Sequence, residues 1–299
     1  RASNEKLTEE VSEMNIRRCG TALLLVLIMG FSLAHAQQVE VAEVYGDGSN
    51  AVFLATGSPG ELGLVKALAE AFNEGNDTSI HWVKAGSGDS LKMLKEDKVD
   101  LIMVHAPADE KKAVSEGWAA KRSLIGSNEF YIVGPKDDPA GIAKASSAAD
   151  AYRRIVSARA KFFSRGDNSG THKKEMDVWK KAGIEPSGDW YIVTNDFMMA
   201  TLKRADAEQG YFMTDSSTWV QSKGELGNLE VIYRGDPMLI NTYHALCRPE
   251  GDGVSQPYAA KFIDFLVSEN GQSIIGSYGK ELYGEPMYND AEYAKQYVK

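Results

Sequence analysis

The sequence predicts an α/β protein built as two lobes, each a sheet covered by helices on both faces. Three observations carry this. The chain has 299 residues, and at roughly 150 residues per domain that gives room for two cores. From Val52 onward, short apolar runs suited to strands alternate with longer segments whose apolar residues recur at helical spacing. That is the pattern of mainly parallel sheets with helical crossovers. Hydrophobic residues make up 43% and charged residues 25% of the chain, which excludes a disordered, collagen-like or coiled-coil protein. The net charge of −9 comes without any basic stretch, so nucleic acid is not an expected partner.

The first element is a targeting segment. Met14-Asn15-Ile16-Arg17-Arg18 is positive, Thr21 to Leu33 is almost wholly apolar, and Ala34-His35-Ala36 has the small-x-small pattern of a signal-peptidase site. Cleavage after Ala36 is expected, with a mature chain from Gln37 and export to the periplasm. The apolar run of about 13 residues is shorter than the roughly 20 a spanning helix needs; an uncleaved anchor is the alternative. Arg17-Arg18 lacks a following Phe-Leu-Lys, so it makes a poor twin-arginine signal. Residues 1–13 read as lying upstream of the true start at Met14. Cys19 precedes the apolar run and is not placed as a lipid anchor, and Cys247 alone remains after processing, so no internal disulfide is expected.

The mature chain then reads as follows. Val52 to Ala55 is a strand. Ser58, Pro59 and Glu61 have the form of a capping box, opening a helix that buries Leu62, Val65, Leu68, Ala69 and Phe72. Ile80 to Lys84 is a strand, followed by a loop, Ala85 to Ser90, and a helix from about Leu91. Val99 to Val104 is a strand and Ala108 to Glu116 a helix. Phe130 to Val133 is a strand, Ala148 to Ala158 a helix, Lys161 to Ser164 a strand and Thr171 to Ala182 a helix. Trp190 to Val193 leads into a helix from Phe197. Gly210 to Met213, Leu229 to Tyr233 and Leu239 to Leu246 are strands, Tyr258 to Val267 is a helix, and a polar, Tyr-rich tail closes the chain. There is no linker, so the lobes must be joined by strands passing between them. Phe130 to Val133 and Leu239 to Tyr243 are the candidates, giving one lobe from residues 37–131 and 240–299 and another from residues 132–239, with the cleft between them as the expected binding site.

Three strand-to-helix loops share one grammar: Gly with Ser or Thr, then a helix start. They are Thr56-Gly57-Ser58, Gly86-Ser87-Gly88-Asp89-Ser90, and Ser164 to Thr171. Unpaired N–H groups and the positive dipole end at a helix start suit an anion, glycine allows close approach, and hydroxyls add neutral donors. Arg165 is the one cation in these loops suited to paired donation to an oxyanion, with Asp167 placed to orient it. Each loop taken singly reads first as a helix cap, and Arg165 singly as an ion pair with Asp167; the anion-binding reading rests on the set. His81, His105, His172 and His244 do not stand at metal-ligand spacing, and neither a Gly-x-Ser-x-Gly elbow nor a nucleotide-binding P-loop occurs. His105 and His172 could act as bases but read more readily as structural.

The run Ser164-Arg165-Gly166-Asp167-Asn168-Ser169-Gly170-Thr171-His172-Lys173-Lys174-Glu175, with Trp179 beyond, resembles the characteristic motif of periplasmic tungstate-binding proteins, the TupA family. Phe130 to Pro135 with Asp138-Pro139, and Gly210 to Asp215, are similar to that family's crossing strand and a later strand. The resemblance runs from about Val52 to Ser277. It implies a type II periplasmic binding protein fold with the ion held between the lobes. The family's usual Thr-Thr-Thr-Ser loop reads Ala55-Thr56-Gly57-Ser58 here, and Thr194-Asn195-Asp196-Phe197-Met198 stands where the family tends to carry Gly-Gly-Met. By carry-over, Arg165 and Thr171 head the oxyanion set, then Thr56, Ser58, Ser87 and Ser169, then the N–H groups of Gly57 and Gly170. The implied function is capture of a tetrahedral oxyanion, tungstate first, for an ABC permease with a separate ATPase subunit. The protein would act as a monomer with no catalysis, cofactor or metal cation. Molybdate, sulfate or phosphate are the alternative ligands. An exported hydrolase using Arg165 with His172 or His105 is the alternative class.

Overall fold

The alternation predicted from Val52 onward is present in the computed structural model, which describes residues 39–298. The signal segment, Cys19 and the cleavage site lie outside the described residues. The elements are β1 (Glu43–Tyr45), β2 (Asn50–Thr56), α1 (Ser58–Glu61), α2 (Leu64–Asn73), β3 (Thr78–Lys84), α3 (Ser87–Lys95), β4 (Leu101–Val104), α4 (Pro107–Ser115) and β5 (Ala120–Pro135). They continue with α5 (Ala148–Ala158), β6 (Phe162–Ser164), α6 (Gly170–Ala182), β7 (Tyr191–Val193), α7 (Met198–Glu208), β8 (Tyr211–Asp215), α8 (Ser216–Ser222) and β9 (Leu229–Tyr233). β10 (Ile240–Cys247), α9 (Gln256–Val267), α10 (Glu269–Ser277), α11 (Lys280–Tyr283) and α12 (Ala291–Ala294) complete the chain.

The strands lie in the order β1-β3-β2-β4-β10-β5-β8-β6-β7, with β9 also pairing β5. β2 pairs in parallel with β3 and β4, and β6 with β7 and β8. All pairings of β5 and β10 are antiparallel. The sheet is therefore mixed rather than mainly parallel, because the strand that leaves the first half and the one that returns to it run against their neighbours. β5 carries the passage. Its first part pairs β10 up to Glu129, and from Phe130 it pairs β8 and β9. The return runs through Leu239, packed in the core around β6 and β8, into β10.

Side-chain alternation explains the apolar runs. In β4, Leu101 and Met103 enter one core while Ile102 and Val104 enter another on the opposite face. A strand covered on both sides has no polar face to show. Around β6 and β8 a third core gathers Phe130, Ile132, Tyr152, Phe162, Phe163, Trp179 and Phe212. Cys247 is buried and free. Among the described residues no helix is long and apolar enough to cross a membrane.

Three local expectations fail. The capping box at Ser58 does not form: Gly57 is the cap residue, no side chain caps the helix, and α1 ends after one turn. Gly63, at φ 88°, then breaks the chain, and α2 starts at Leu64 with the expected apolar face buried. α3 begins at Ser87 instead of near Leu91; its Gly-Ser-Gly opening looks like loop but already accepts helical geometry, with Ser90 N–H donating to Gly86 O at 2.8 Å. The polar tail contains α10, capped by Ser268.

Candidate oxyanion site

The three Gly/Ser loops converge. β2 ends at Thr56, whose hydroxyl donates to Met103 O at 2.8 Å, so its hydrogen is already engaged and its role is to shape the wall. Ser58 donates to Asp215 Oδ2 over 3.4 Å. Asp215 is buried, accepts from Ser217 Oγ and from Thr218 N–H, and is reached by Asn128 Nδ2 at 3.4 Å. Asn128 in turn accepts from Asn241 at 2.8 Å. A buried polar chain thus links β10, β5 and β8 to the loop after β2. Ser87, at the start of α3, accepts from His105 N–H at 3.2 Å and keeps its own hydrogen to give.

From the other half, α6 starts behind Ser169, which accepts from His172 N–H at 3.3 Å as the N-cap. A Cβ on Gly86 would stand 3.2 Å from Ser169 Cβ, and one on Gly88 2.8 Å from Asn168 O. Glycine at both positions lets the starts of α3 and α6 touch. Arg165 follows β6 and is only 5% exposed. Its Nε donates to Asp196 O at 3.2 Å and its Nη2 to Asp167 Oδ2 at 2.5 Å. The guanidinium lies 5.5 Å from the Phe197 ring centre. Of five N–H groups on a guanidinium, these bonds hold two in place and orient the fork.

Thr56, Gly57, Ser58, Ser87, Arg165 and Ser169 line a cavity of about 20 Å³, where about 10–15 Å³ admits one water. It suits a small inorganic ion and no organic ligand. Gly170 and Thr171 do not line it; they form the first turn of α6 behind Ser169, with Thr171 buried. Met103, His105, Phe197 and Tyr243 complete much of the wall, and no carboxylate is among the lining residues.

His105, which reads more readily as structural in the sequence, is on the wall. Its Nδ1 is buried without a partner, and its ring lies 4.9 Å from that of Tyr243. Burial pushes its pKa down to about 3, with the Arg165 charge adding to the effect against a bond to Asn241. The imidazole is therefore neutral at pH 7 and adds a hydrogen-bonding group without a second charge. Its place at the carboxyl end of β4, where ligands of open α/β sheets bind, was the signal that could have found it. Gly170 faces it: a Cβ there would be 2.3 Å from His105 Cε1. Phe197 likewise gave no signal as a ligand-side residue. His172 is half-buried and bonds back to its own loop, its Nδ1 accepting from Asn168 N–H at 3.0 Å. Among the described residues no group of three or more His, Cys, Asp or Glu is placed to hold a metal ion.

Residues 42–270 match the model of the PBP (periplasmic-binding-protein) superfamily domain. The chain belongs to the PBP superfamily. Within it, the chain is 33% identical over 270 residues to the tungstate-binding protein TupA of Peptoclostridium acidaminophilum, covering 89% of this chain and 94% of the relative. The crystal structure of the tungstate ABC transporter from Geobacter sulfurreducens matches at 35% identity and a TM-score of 0.70, covering 78% of this chain and 100% of that one. TupA from Desulfovibrio alaskensis G20 matches at 33% identity and a TM-score of 0.68, covering 81% and 99%. This PBP chain is thus a member of the TupA family, a family of transport receptors rather than of hydrolases. Its mixed sheet with flanking helices is the periplasmic-binding-protein fold, consistent with type II.

Proposed function

We propose that this PBP chain is an exported receptor that closes around one tetrahedral dianion, tungstate, and delivers it to an ABC permease driven by a separate ATPase. The observation that carries the reading is the cavity itself: a buried, oriented Arg165 facing neutral donors, in a space sized for a small ion. Nanomolar binding needs about −12 kcal/mol, and an exposed ion pair gives at most about 1 kcal/mol. A buried site with several converging donors meets that need.

The missing carboxylate supports a fully deprotonated ion over hydrogen phosphate, whose proton would need an acceptor on the wall. Tungstate, rather than sulfate, is supported by the named ligand of the relatives above. Tungstate and molybdate are alike in size and charge. Ser87, the α3 start and the backbone N–H groups of Gly57 and Ser58 would hold the ion from one side and Arg165 and Ser169 from the other, with Gly170 and Thr171 packing behind Ser169. Binding would then shift the population toward the closed arrangement of two lobes, residues 37–131 with 240–299 and residues 132–239. The apolar stretch from Thr21 to Leu33 followed by Ala34-His35-Ala36 supports export with cleavage after Ala36. The receptor acts as a monomer without a cofactor of its own.

The test is calorimetry on the chain from Gln37 with tungstate, molybdate, sulfate and phosphate titrated separately. Tight one-to-one tungstate binding is expected, with sulfate and phosphate silent. Arg165→Ala should weaken it by several kcal/mol, as loss of a buried charged donor does, with the circular-dichroism spectrum unchanged. An unaltered affinity in that variant would remove Arg165 from the site, and silence with all four ions would remove the oxyanion reading.

A further inference from the structure

A second cavity, of about 840 Å³, shares no lining residue with the first. The separation follows from strand geometry. Tyr243 of β10 faces the oxyanion cavity, while its neighbours Thr242 and His244 face the larger groove, because successive side chains of a strand point to opposite faces. Lys111 of α4 stands on one wall. On the other, Lys174, Asp177 and Lys181 repeat at helical spacing along α6, with Lys180 beside them. Arg122 of β5 also lines the groove. In a chain of net charge −9, one carboxylate among five cationic side chains is a local reversal of sign.

The cations are not all alike. Arg122 is paired with the fully buried Glu110 at 2.8 Å. Lys174 donates to Met238 O at 3.1 Å, and burial pushes its pKa down. Lys180 and Lys181 are exposed at the rim. The independent pointer to a ligand is His244. It is 1% exposed, it lines the groove, and its Nε2 is buried with no partner. Its Nδ1 lies 3.2 Å from Arg122 Nη2 and 3.0 Å from Glu110 Oε2. With Nδ1 accepting from Arg122 Nη2, Nε2 carries a hydrogen that finds no acceptor within the protein. Pro237, Met238 and Ile240 give the groove an apolar part, and its volume is that of an organic-ligand pocket.

We propose that this groove binds an organic polyanion, a small carbon skeleton bearing two or more carboxylate or phosphate groups, and that its occupancy is coupled to the oxyanion cavity. The coupling has a structural route. α4 starts two residues after His105, and α6 is capped by Ser169, so both walls of the groove begin at the oxyanion cavity. The Lys173–Asp109 ion pair already joins the two helices, and an anion held between Lys111 and the α6 lysines joins them again. By linkage, whatever the polyanion does to oxyanion affinity, the oxyanion does to the polyanion. Binding in the groove stands on its own; the coupling rests on the function proposed above.

The experiment titrates the protein with citrate and, separately, with fructose 1,6-bisphosphate, using inorganic pyrophosphate as the probe without a carbon skeleton. One-to-one binding of at least one organic probe is expected, citrate marking a polycarboxylate site and the bisphosphate an organic-phosphate site. The double variant Lys180→Gln/Lys181→Gln should bind it about tenfold more weakly, with tungstate affinity in its absence unchanged. On saturation the Nε2–H proton resonance of His244 should move downfield as that hydrogen gains an acceptor, a change a merely structural histidine would not make. Silence with both organic probes, or binding that the double variant leaves intact, overturns the site. Tighter binding of pyrophosphate than of either organic probe overturns the ligand class. Equal tungstate affinity with and without saturating probe overturns the coupling alone.

Discussion

Glu175 sits one helical turn beyond Thr171, buried, with its Oε1 accepting from Trp179 Nε1 at 3.0 Å and Tyr191 OH at 2.7 Å. Burial raises its pKa to about 7 against those hydrogen bonds. The folded protein therefore holds a proton between about pH 4.5 and pH 7 that the unfolded chain releases, so stability falls as pH rises through that window. The loss is complete above pH 7 and amounts to about 3 kcal/mol at most. Glu175→Gln keeps the accepting oxygen and removes the ionisation. Its melting temperature should match the parent near pH 5 and exceed it by several degrees at pH 8. Parallel melting curves across that range would mean the carboxylate ionises freely. His105 acts with the opposite sign: its folded pKa lies below the unfolded value, so its contribution is present above about pH 6.5 and is lost as the solution is acidified toward pH 3. Among single residues, Arg165 was legible because a cation stood alone among glycines and hydroxyls. His105 was not, because nothing local distinguishes a wall histidine from a packing one.

At the level of elements, the helices with long apolar faces were readable. α2 buries Val65, Leu68, Ala69 and Phe72 as its spacing named, while Leu62 closes α1 before it, and α5 spans the predicted range. What was missed lies at helix starts: the Ser58 hydroxyl turns to Asp215, more than 150 residues away in sequence, instead of capping. The start of α6 offers a test. Gly170→Ala puts a methyl against the His105 ring, an overpacking that costs about 1–3 kcal/mol, more than the helix gains from alanine. The helix start must withdraw, and oxyanion affinity should drop with stability. Gly183 ends the same helix at φ 74° with open space where a Cβ would go. Gly183→Ala should lower the melting temperature through backbone strain and leave affinity unchanged. Comparing the two by calorimetry and thermal unfolding separates damage to the site from damage to the helix. Equal affinities in both variants would detach the Gly170–His105 contact from binding.

For the molecule as a whole, the alternation of strands and helices announced the α/β architecture, but not the reversed direction of β5 and β10. Their apolar runs look the same read in either direction. An ion that binds only the folded form stabilises it by mass action, about 2.7 kcal/mol at a hundredfold excess over Kd. A rise in melting temperature with tungstate, absent in Arg165→Ala, is the expected result; an equal rise in the variant would mean the ion acts elsewhere.

The strand order also sets a timetable for synthesis. β10 lies between β4 and β5, although it is made more than 100 residues after them. Until residues 240–247 emerge, the first sheet has a gap at its centre and β4 lacks one neighbour. The core it shares with Phe262, Ile263 and Leu266 of α9 waits longer still. Contacts so distant in sequence form slowly. If the chain is exported unfolded through a translocation channel, as proposed above, that delay would keep most of its length passable. A ribosome stalled before β10 would instead release a chain with open strand edges, the kind that aggregates.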